Sequence, residues 1–206
     1  VTARREAPAA DGVAVVVTGP PASGKTTLAT ALASALGYAI VDLDTVTGPL
    51  TRLALALLGA TEDAIDGPAG GRLRAPRYDA LIDVAAANLR AGIGVVLAAP
   101  FSEERADPGR WDALARRLAP AQPDRVALLY LDVPPSVLRS RLQARDAARD
   151  AGKLSSPAGT AGAPRLVPGA AVLDGTRNLS EQLAAALDVL GTRGGPVTRE
   201  PHASSC

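Results

Sequence analysis

The sequence predicts an α/β fold, a doubly wound five-stranded parallel sheet, and three observations predict it. Five short apolar runs, rich in branched residues, recur along the chain: "VAVVV" (13–17), "YAIVDL" (38–43), "GVVLAA" (94–99), "VALLYLDV" (126–133) and "AAVLD" (170–174). Runs with no alternating polar face suit strands covered on both sides, which is the condition of a parallel sheet. Between several of them lie stretches of helical spacing, and such alternation implies right-handed crossovers. Finally, the first run ends in a turn of Gly and Pro that opens straight into a helix.

Taken in order, residues 1–11 read as a loose arm, followed by the first strand. "KTTLATALASALG" is then a helix that stops on Gly37, where glycine is the usual terminator. After the second strand a short apolar helix begins near Pro49. Residues 59–76, with "DGPAGGRLRAP", read as a mobile loop because they concentrate Gly and Pro. "YDALIDVAAANLRAG" is a helix ending on Gly92, and "PSVLRSRLQARDAARDAG" another ending on Gly152. The polar stretch 145–169 reads as a mobile segment. Residues 191–206, rich in Gly, Pro and Ser, read as a flexible tail. The expected organisation is one domain over residues 1–190, a size that buries a substantial core.

Composition narrows the function. Lys+Arg 22 against Asp+Glu 21 leaves a net charge of +1, so no global basic field gathers nucleic acid or a membrane surface. Aromatic residues make up 2% of the chain, too few to stack the bases of a polynucleotide. No apolar stretch reaches ~18 residues, the span of a bilayer, and the N-terminal arm does not resemble a signal peptide. The single cysteine, Cys206, permits no internal disulfide framework and fits a reducing compartment, so a cytoplasmic location is expected.

The turn after the first strand carries the clearest chemistry. Gly19-x-x-x-x-Gly24-Lys25-Thr26 has the P-loop pattern between a strand and a helix. There Gly19, Pro20, Pro21, Ala22, Ser23 and Gly24 would curl backbone N–H groups around phosphate oxygens. Lys25, Thr26 and Thr27 begin a helix whose positive end faces the same point. Lysine is scarce, occurring only at Lys25 and Lys153. At this register Lys25 supplies a point charge between the terminal phosphates, and the Thr26 hydroxyl a ligand for Mg²⁺. ATP and Mg²⁺ are therefore the expected cofactors. The second strand ends in "VDLDT", and period-two alternation would put Asp42 and Asp44 on one side at the ligand edge of the sheet. Carboxylates there have two tasks to share, holding Mg²⁺ through water and accepting a proton from an attacking hydroxyl.

"GPPASGKTT", "VDLDT" and the arginine-rich stretch after the fourth strand together resemble the shikimate and gluconate kinase group. Chloramphenicol phosphotransferase and zeta-toxin-like enzymes are its relatives in the nucleoside-monophosphate-kinase-like fold. The resemblance spans about residues 13–190 and implies that Asp44 faces the substrate hydroxyl as base or orienter while Asp42 helps place Mg²⁺. It also implies a lid over about 145–169 and an R-x-x-x-R pair, with Arg141 on the adenine base and Arg145 on the transferring phosphates. On spacing alone, Arg141, Arg145 and Arg149 share one helix face that meets either solvent or a polyanion. The third strand lacks the usual Walker B carboxylate, presenting Ala98 and Ala99 instead, which disfavours a motor or switch.

The substrate segment should lie within about 45–80, with Arg52, Arg74, Arg77 and Tyr78 as candidate contacts. Arg74 and Arg77 would bracket a loop, and one or more of the segment's arginines, Arg52, Arg72, Arg74 and Arg77, would clamp the substrate if it is anionic. Pro100 and Phe101 follow the third strand at the crevice, and Gly175 and Thr176 make an adenine-side loop after the fifth. The expected function is transfer of the γ-phosphate of ATP to a hydroxyl of a small molecule: a sugar acid, nucleoside or antibiotic-like metabolite. The protein would act as a monomer or homodimer without nucleic acid or membrane partners. The alternatives are a nucleotide-binding regulator or adaptor that transfers nothing, and a polynucleotide 5′-hydroxyl kinase.

Overall fold

A computed structural model describes residues 13–145 and 164–193, with the side chains of Asp63, Arg145, Thr192 and Arg193 outside that description. Most of the expected lid segment, with Arg149 and Lys153, and residues 194–206 of the tail also lie outside the described residues. All five strands are present: β1 (Ala14–Thr18), β2 (Ala39–Asp42), β3 (Val95–Ala98), β4 (Val126–Asp132) and β5 (Ala171–Asp174). They form one sheet in the order β2-β3-β1-β4-β5, and every pairing is parallel.

The helices, in chain order, are α1 (Lys25–Leu36), α2 (Leu43–Leu57), α3 (Pro68–Arg90), α4 (Pro108–Leu118), α5 (Pro135–Arg145) and α6 (Leu179–Arg193). Short 3-10 turns occupy Glu62–Asp66 and Pro123–Arg125. Every residue of β1 is buried, which explains its unbroken apolar sequence. Alternation along the strand divides the core in two. Val15 and Val17 face Leu28 and Leu32 of α1 and Ala186 of α6. Val16 packs on the opposite face with Leu81 and Ile82 of α3 and Leu114 of α4. Each such Leu or Ile contributes about 1.5–3 kcal/mol by leaving water.

This layering sets the position of the crevice. β1 and β3 are neighbours, yet α1 follows β1 onto one face and α4 follows β3 onto the other. Where adjacent strands send their connections to opposite faces, a cleft opens at their carboxyl ends. The Thr18 hydroxyl donates to the Pro100 carbonyl across this gap and pins the two strand ends together.

Four local expectations are corrected. α2 starts at Leu43, directly after the second strand, with Pro49 inside it. Asp44 is therefore a helix residue, and strand alternation does not orient it. α3 starts at Pro68, so the expected mobile loop over 59–76 is largely a 3-10 turn and a helix, with Pro76 inside. Arg74 and Arg77 consequently sit a turn apart on α3 and bracket no loop. The sequence reading also missed α4 and α6, and α6 carries helical structure to Arg193, inside the expected tail. Gly and Pro punctuate a chain only as weak priors, and packing of α2 against α3 overrides them here.

Gly70 shows why such residues are tolerated inside α3. A Cβ at this position would lie 1.7 Å from the carbonyl oxygen of Ile65 in the preceding 3-10 turn. The helix can approach that turn only because no side chain intervenes. Gly70→Ala is therefore expected to cost about 1–3 kcal/mol, a fall in melting temperature of roughly 2–12 °C at this chain length. Differential scanning calorimetry of the variant checks this, and an unchanged transition refutes the close approach.

Candidate active site

The site begins at the turn between β1 and α1. Gly19 has φ 153°, and a Cβ there would lie 2.8 Å from Ser23 Oγ and 2.9 Å from the Leu131 carbonyl oxygen. Only glycine fits so close to β4. The Ser23 amide donates to the Pro20 carbonyl at 3.2 Å, and Ala22 and Gly24 both take positive φ, 60° and 98°, which curls the backbone inward. No side chain caps α1, and no acidic residue occupies its first turn. Its leading N–H groups and positive end are thus available to an anion. The Ser23 hydroxyl lines the same cleft, is buried, and has no hydrogen-bond partner among the described residues. Buried polar atoms rarely stay unpaired, so this orphan, the uncapped helix and Lys25 together fit a bound phosphate chain. Lys25 Nζ donates to the Pro20 carbonyl at 2.8 Å, folded over the loop.

Next to the loop, Asp42 uses both of its oxygens. Oδ1 accepts from the Thr45 amide and from the Thr45 hydroxyl, each at 2.9 Å, and so caps α2. Oδ2 accepts from the Thr26 hydroxyl at 3.0 Å. Thr26 and Asp42 thus present hard oxygen donors side by side. That set fits Mg²⁺, which takes few protein ligands and completes its shell with water and phosphate oxygens.

Asp44 lies in the first turn of α2 and lines the cleft. Its Oδ1 accepts from Arg77 of α3 at 3.0 Å, while Arg77 Nε donates to the Thr47 hydroxyl at 3.1 Å. Arg77 is only 15% exposed and Asp44 56%, so a largely buried guanidinium holds a carboxylate that still meets solvent. Loop, aspartates and Arg77 share one cleft of about 670 Å³.

The remaining expected residues divide into two groups. Pro100, Arg52 and Arg141 line the cleft. Arg52 pairs with Glu62 at 3.8 Å, both exposed. Arg141 donates through one amino group to the carbonyls of Ala22 (3.4 Å) and Ser23 (3.3 Å) and through the other to Gly175 (3.0 Å). It therefore straps the P-loop to the turn after β5. Gly175 is packed where a Cβ would meet Val133 at 2.4 Å, so its role is to supply that carbonyl. Thr176 bonds through its hydroxyl and amide to Asp174 and holds that carboxyl below its usual range.

Arg74, Tyr78 and Phe101 do not line the cleft. Phe101 is fully buried and meets the Tyr78 ring edge-on at 5.2 Å. The Tyr78 hydroxyl accepts from the Phe101 amide at 3.2 Å; burial pushes that hydroxyl's pKa up, with the nearby Arg74 charge opposing. Arg74 stacks on the Tyr78 ring at 4.4 Å and pairs with Glu103 and Glu104. These three residues thus tie α3 to the segment that follows β3. The Arg145 side chain lies outside the described residues.

Sequence reading missed Leu179, Gln182, Leu55, Glu62, Ile65 and Asp66, all of which line the cleft. Leu179 and Gln182 belong to the unread helix α6. The others lie on α2 and the 3-10 turn, where only the fold brings them to the cleft.

Residues 15–158 match the profile of the family described as AAA domain. Solved structures share the fold. An unliganded sugar kinase from Janibacter sp. HTCC2649 is similar at 23% identity and TM-score 0.62, over 90% of this chain and 99% of that one. A gluconokinase from Sinorhizobium meliloti 1021 is similar at 23% identity and TM-score 0.56, over 88% and 93% of the two chains. So is the APS kinase of Mycobacterium tuberculosis in complex with AMPPNP and APS, at 22% identity and TM-score 0.56, over 87% and 98%. At these identities the likeness is one of fold. No curated protein matches the chain.

The double use of Asp42 makes its structural role separable. Asp42→Ala loses the cap and the Thr26 bond and is expected to cost about 1–2 kcal/mol, while Asp42→Asn, an equally good cap, should cost only a few tenths. Urea denaturation of both variants checks this. Equal losses would show that charge, and not capping, stabilises the junction.

Proposed function

The chain belongs to the AAA-domain family, and from that premise we propose that it is an ATP-dependent phosphotransferase acting on a hydroxyl of a small molecule. The observation that carries this reading is Asp44: a carboxylate tethered by Arg77 in the same cleft as the P-loop. A regulator that merely bound nucleotide would have no use for a proton acceptor aimed at that space.

The residues then divide the work. The P-loop amides and the start of α1 bind the phosphates, and Lys25, released from the Pro20 carbonyl, neutralises charge on the terminal phosphoryl group. Thr26 and Asp42 would hold Mg²⁺, which when bound supplies further charge to the phosphate oxygens. Asp44 orients the acceptor hydroxyl and takes its proton as the new O–P bond forms and the bond to the ADP leaving group breaks. Arg141, fixed against the P-loop and Gly175, borders the nucleotide end beside Leu179, where an adenine ring would lie. Arg145 is assigned to the transferring phosphates. The cleft closest to β3 is lined by Ala98 and Ala99, with no carboxylate, so magnesium chemistry rests on the β2 side.

Lys25→Met is expected to abolish phosphotransfer while leaving the melting transition in place, measured as ADP release against a panel of hydroxyl compounds. Full turnover in that variant would remove the basis of the enzyme reading. Asp44→Asn should lower the rate by ~10²–10⁴-fold, the usual loss of a general base, with nucleotide affinity nearly unchanged. Asp42→Asn should instead raise the magnesium concentration needed for half-maximal rate. A magnesium titration of both variants decides: rescue of Asp44→Asn by excess ion would mean that the two roles are exchanged.

A further inference from the structure

Resting on the phosphotransfer reading, which puts a nucleotide at the P-loop, we infer that Arg141 is a positioning residue of the phosphate site. It orients the backbone that binds phosphate and does not recognise the base. The resemblance read from the sequence puts this arginine on adenine, but its hydrogen bonds go elsewhere. One amino group donates to the carbonyls of Ala22 (3.4 Å) and Ser23 (3.3 Å), the other to that of Gly175 (3.0 Å), so all three partners are backbone.

The sheet end of this brace is fixed. The Gly175 amide donates to the Asp132 carbonyl at 2.8 Å, and a Cβ at Gly175 would lie 2.4 Å from Val133, so the turn after β5 is packed onto the end of β4. Along α5, Arg141 is flanked by Leu138 and Leu142, both buried. At the other end lies backbone that needs support. Ala22 has φ 60°, a left-handed conformation that is costly for a residue with a Cβ. The peptide from Ala22 to Ser23 is held on both sides, its carbonyl by Arg141 and its N–H by the Pro20 carbonyl at 3.2 Å. In the next peptide Arg141 holds the Ser23 carbonyl. A trans peptide is planar with C=O and N–H opposed, so the Gly24 N–H is turned away from Arg141. Gly24 lines the cleft and precedes the uncapped helix α1, and its N–H is a donor that a phosphate would take up. Arg141 thereby presets the direction of that donor. A lysine would keep the charge but not the planar fork that spans carbonyls on both sides.

The test compares two ligands that share the phosphate chain and differ in the base: ATP and inorganic tripolyphosphate, each with Mg²⁺. Both are titrated calorimetrically into the wild type, Arg141→Ala and Arg141→Lys, with a melting curve for each protein, and neither titration needs an acceptor. Arg141→Ala should weaken both ligands by the same factor, about 10–100-fold, the range for hydrogen bonds to a charged group. Arg141→Lys should recover little of that loss. If Arg141→Ala does not fold, Arg141→Lys carries the same comparison. A loss confined to ATP would make Arg141 a base contact, and recovery by lysine would make charge alone its contribution. Unchanged affinities, whatever the melting temperature, would make its role merely structural. Each of these results overturns the inference and leaves the phosphotransfer reading standing. If the wild type binds neither ligand, that reading fails and the inference falls with it.

Discussion

The carboxylate of Asp42 joins three elements that would otherwise meet only at their ends. It closes β2, caps α2 through the Thr45 amide and hydroxyl, and accepts from Thr26 at the start of α1. Because α1 begins at the P-loop and α2 carries Asp44, this one group sets the distance between the phosphate-binding turn and the proposed base. A helix cap is ordinarily worth about a kilocalorie per mole, a modest stabilisation. Here its geometric consequence matters more. The first turn of α2 can take no other direction while Oδ1 is held by Thr45 and Oδ2 by Thr26.

Around that junction the cleft is organised by guanidinium groups that touch carbonyls and carboxylates of the protein itself. Arg141 gathers Ala22, Ser23 and Gly175, and Arg77 gathers Asp44 and Thr47. Arginine suits this work because its planar fork can meet two partners in fixed directions. The two cases differ in consequence. Arg141 holds backbone and so fixes the P-loop against the turn after β5, whereas Arg77 holds a side chain and so fixes the proposed base. In both, the charge is spent on internal partners, and the face of the cleft that meets solvent is less basic than the arginine count suggests.

The sheet and the P-loop were legible in the sequence for physical reasons that the structure makes plain. Strands buried on both faces leave near-continuous apolar runs, and all five runs became strands. A phosphate loop needs glycine where Gly19 approaches the Leu131 carbonyl, and a lysine at a fixed step beyond it, so local spacing carries the message. The start of α2 was less legible, because "VDLDT" can be read as a strand with alternating carboxylates or as a strand followed by a cap. Asp42 decides for the cap, since its side chain reaches the Thr45 amide. The start of α3 was hidden by Gly70, Gly71 and Pro76, which weaken helices in isolation, yet Gly70 is what allows the close contact with the Glu62–Asp66 turn. The places of Phe101 after a strand and of Tyr78 beside arginines point to the crevice; their burial follows from the core beneath α3, which no local pattern reveals.

The absence of a carboxylate from the described end of β3 fits the rest of the site. Ala98 and Ala99 are small and buried, and β3 lies between β1 and β2 in the sheet. A carboxylate there would stand within the cleft between the P-loop and the β2 junction, adding a third negative charge beside Asp42 and Asp44. Like charges held a few ångströms apart disfavour ionisation of one another, and a proton acceptor works only in its ionised form. Small residues on β3 keep a further negative charge out of the space beside Asp44, which pairs with the largely buried Arg77 and lines the cleft. The division of labour proposed for the two aspartates fits this. Asp42 is held by its cap and beside the Thr26 hydroxyl, next to the oxygen donor with which it would share a cation, whereas Asp44 lines the open cleft. Asp44 accepts from Arg77 at Oδ1 and is 56% exposed, which is compatible with the general-base role proposed for it.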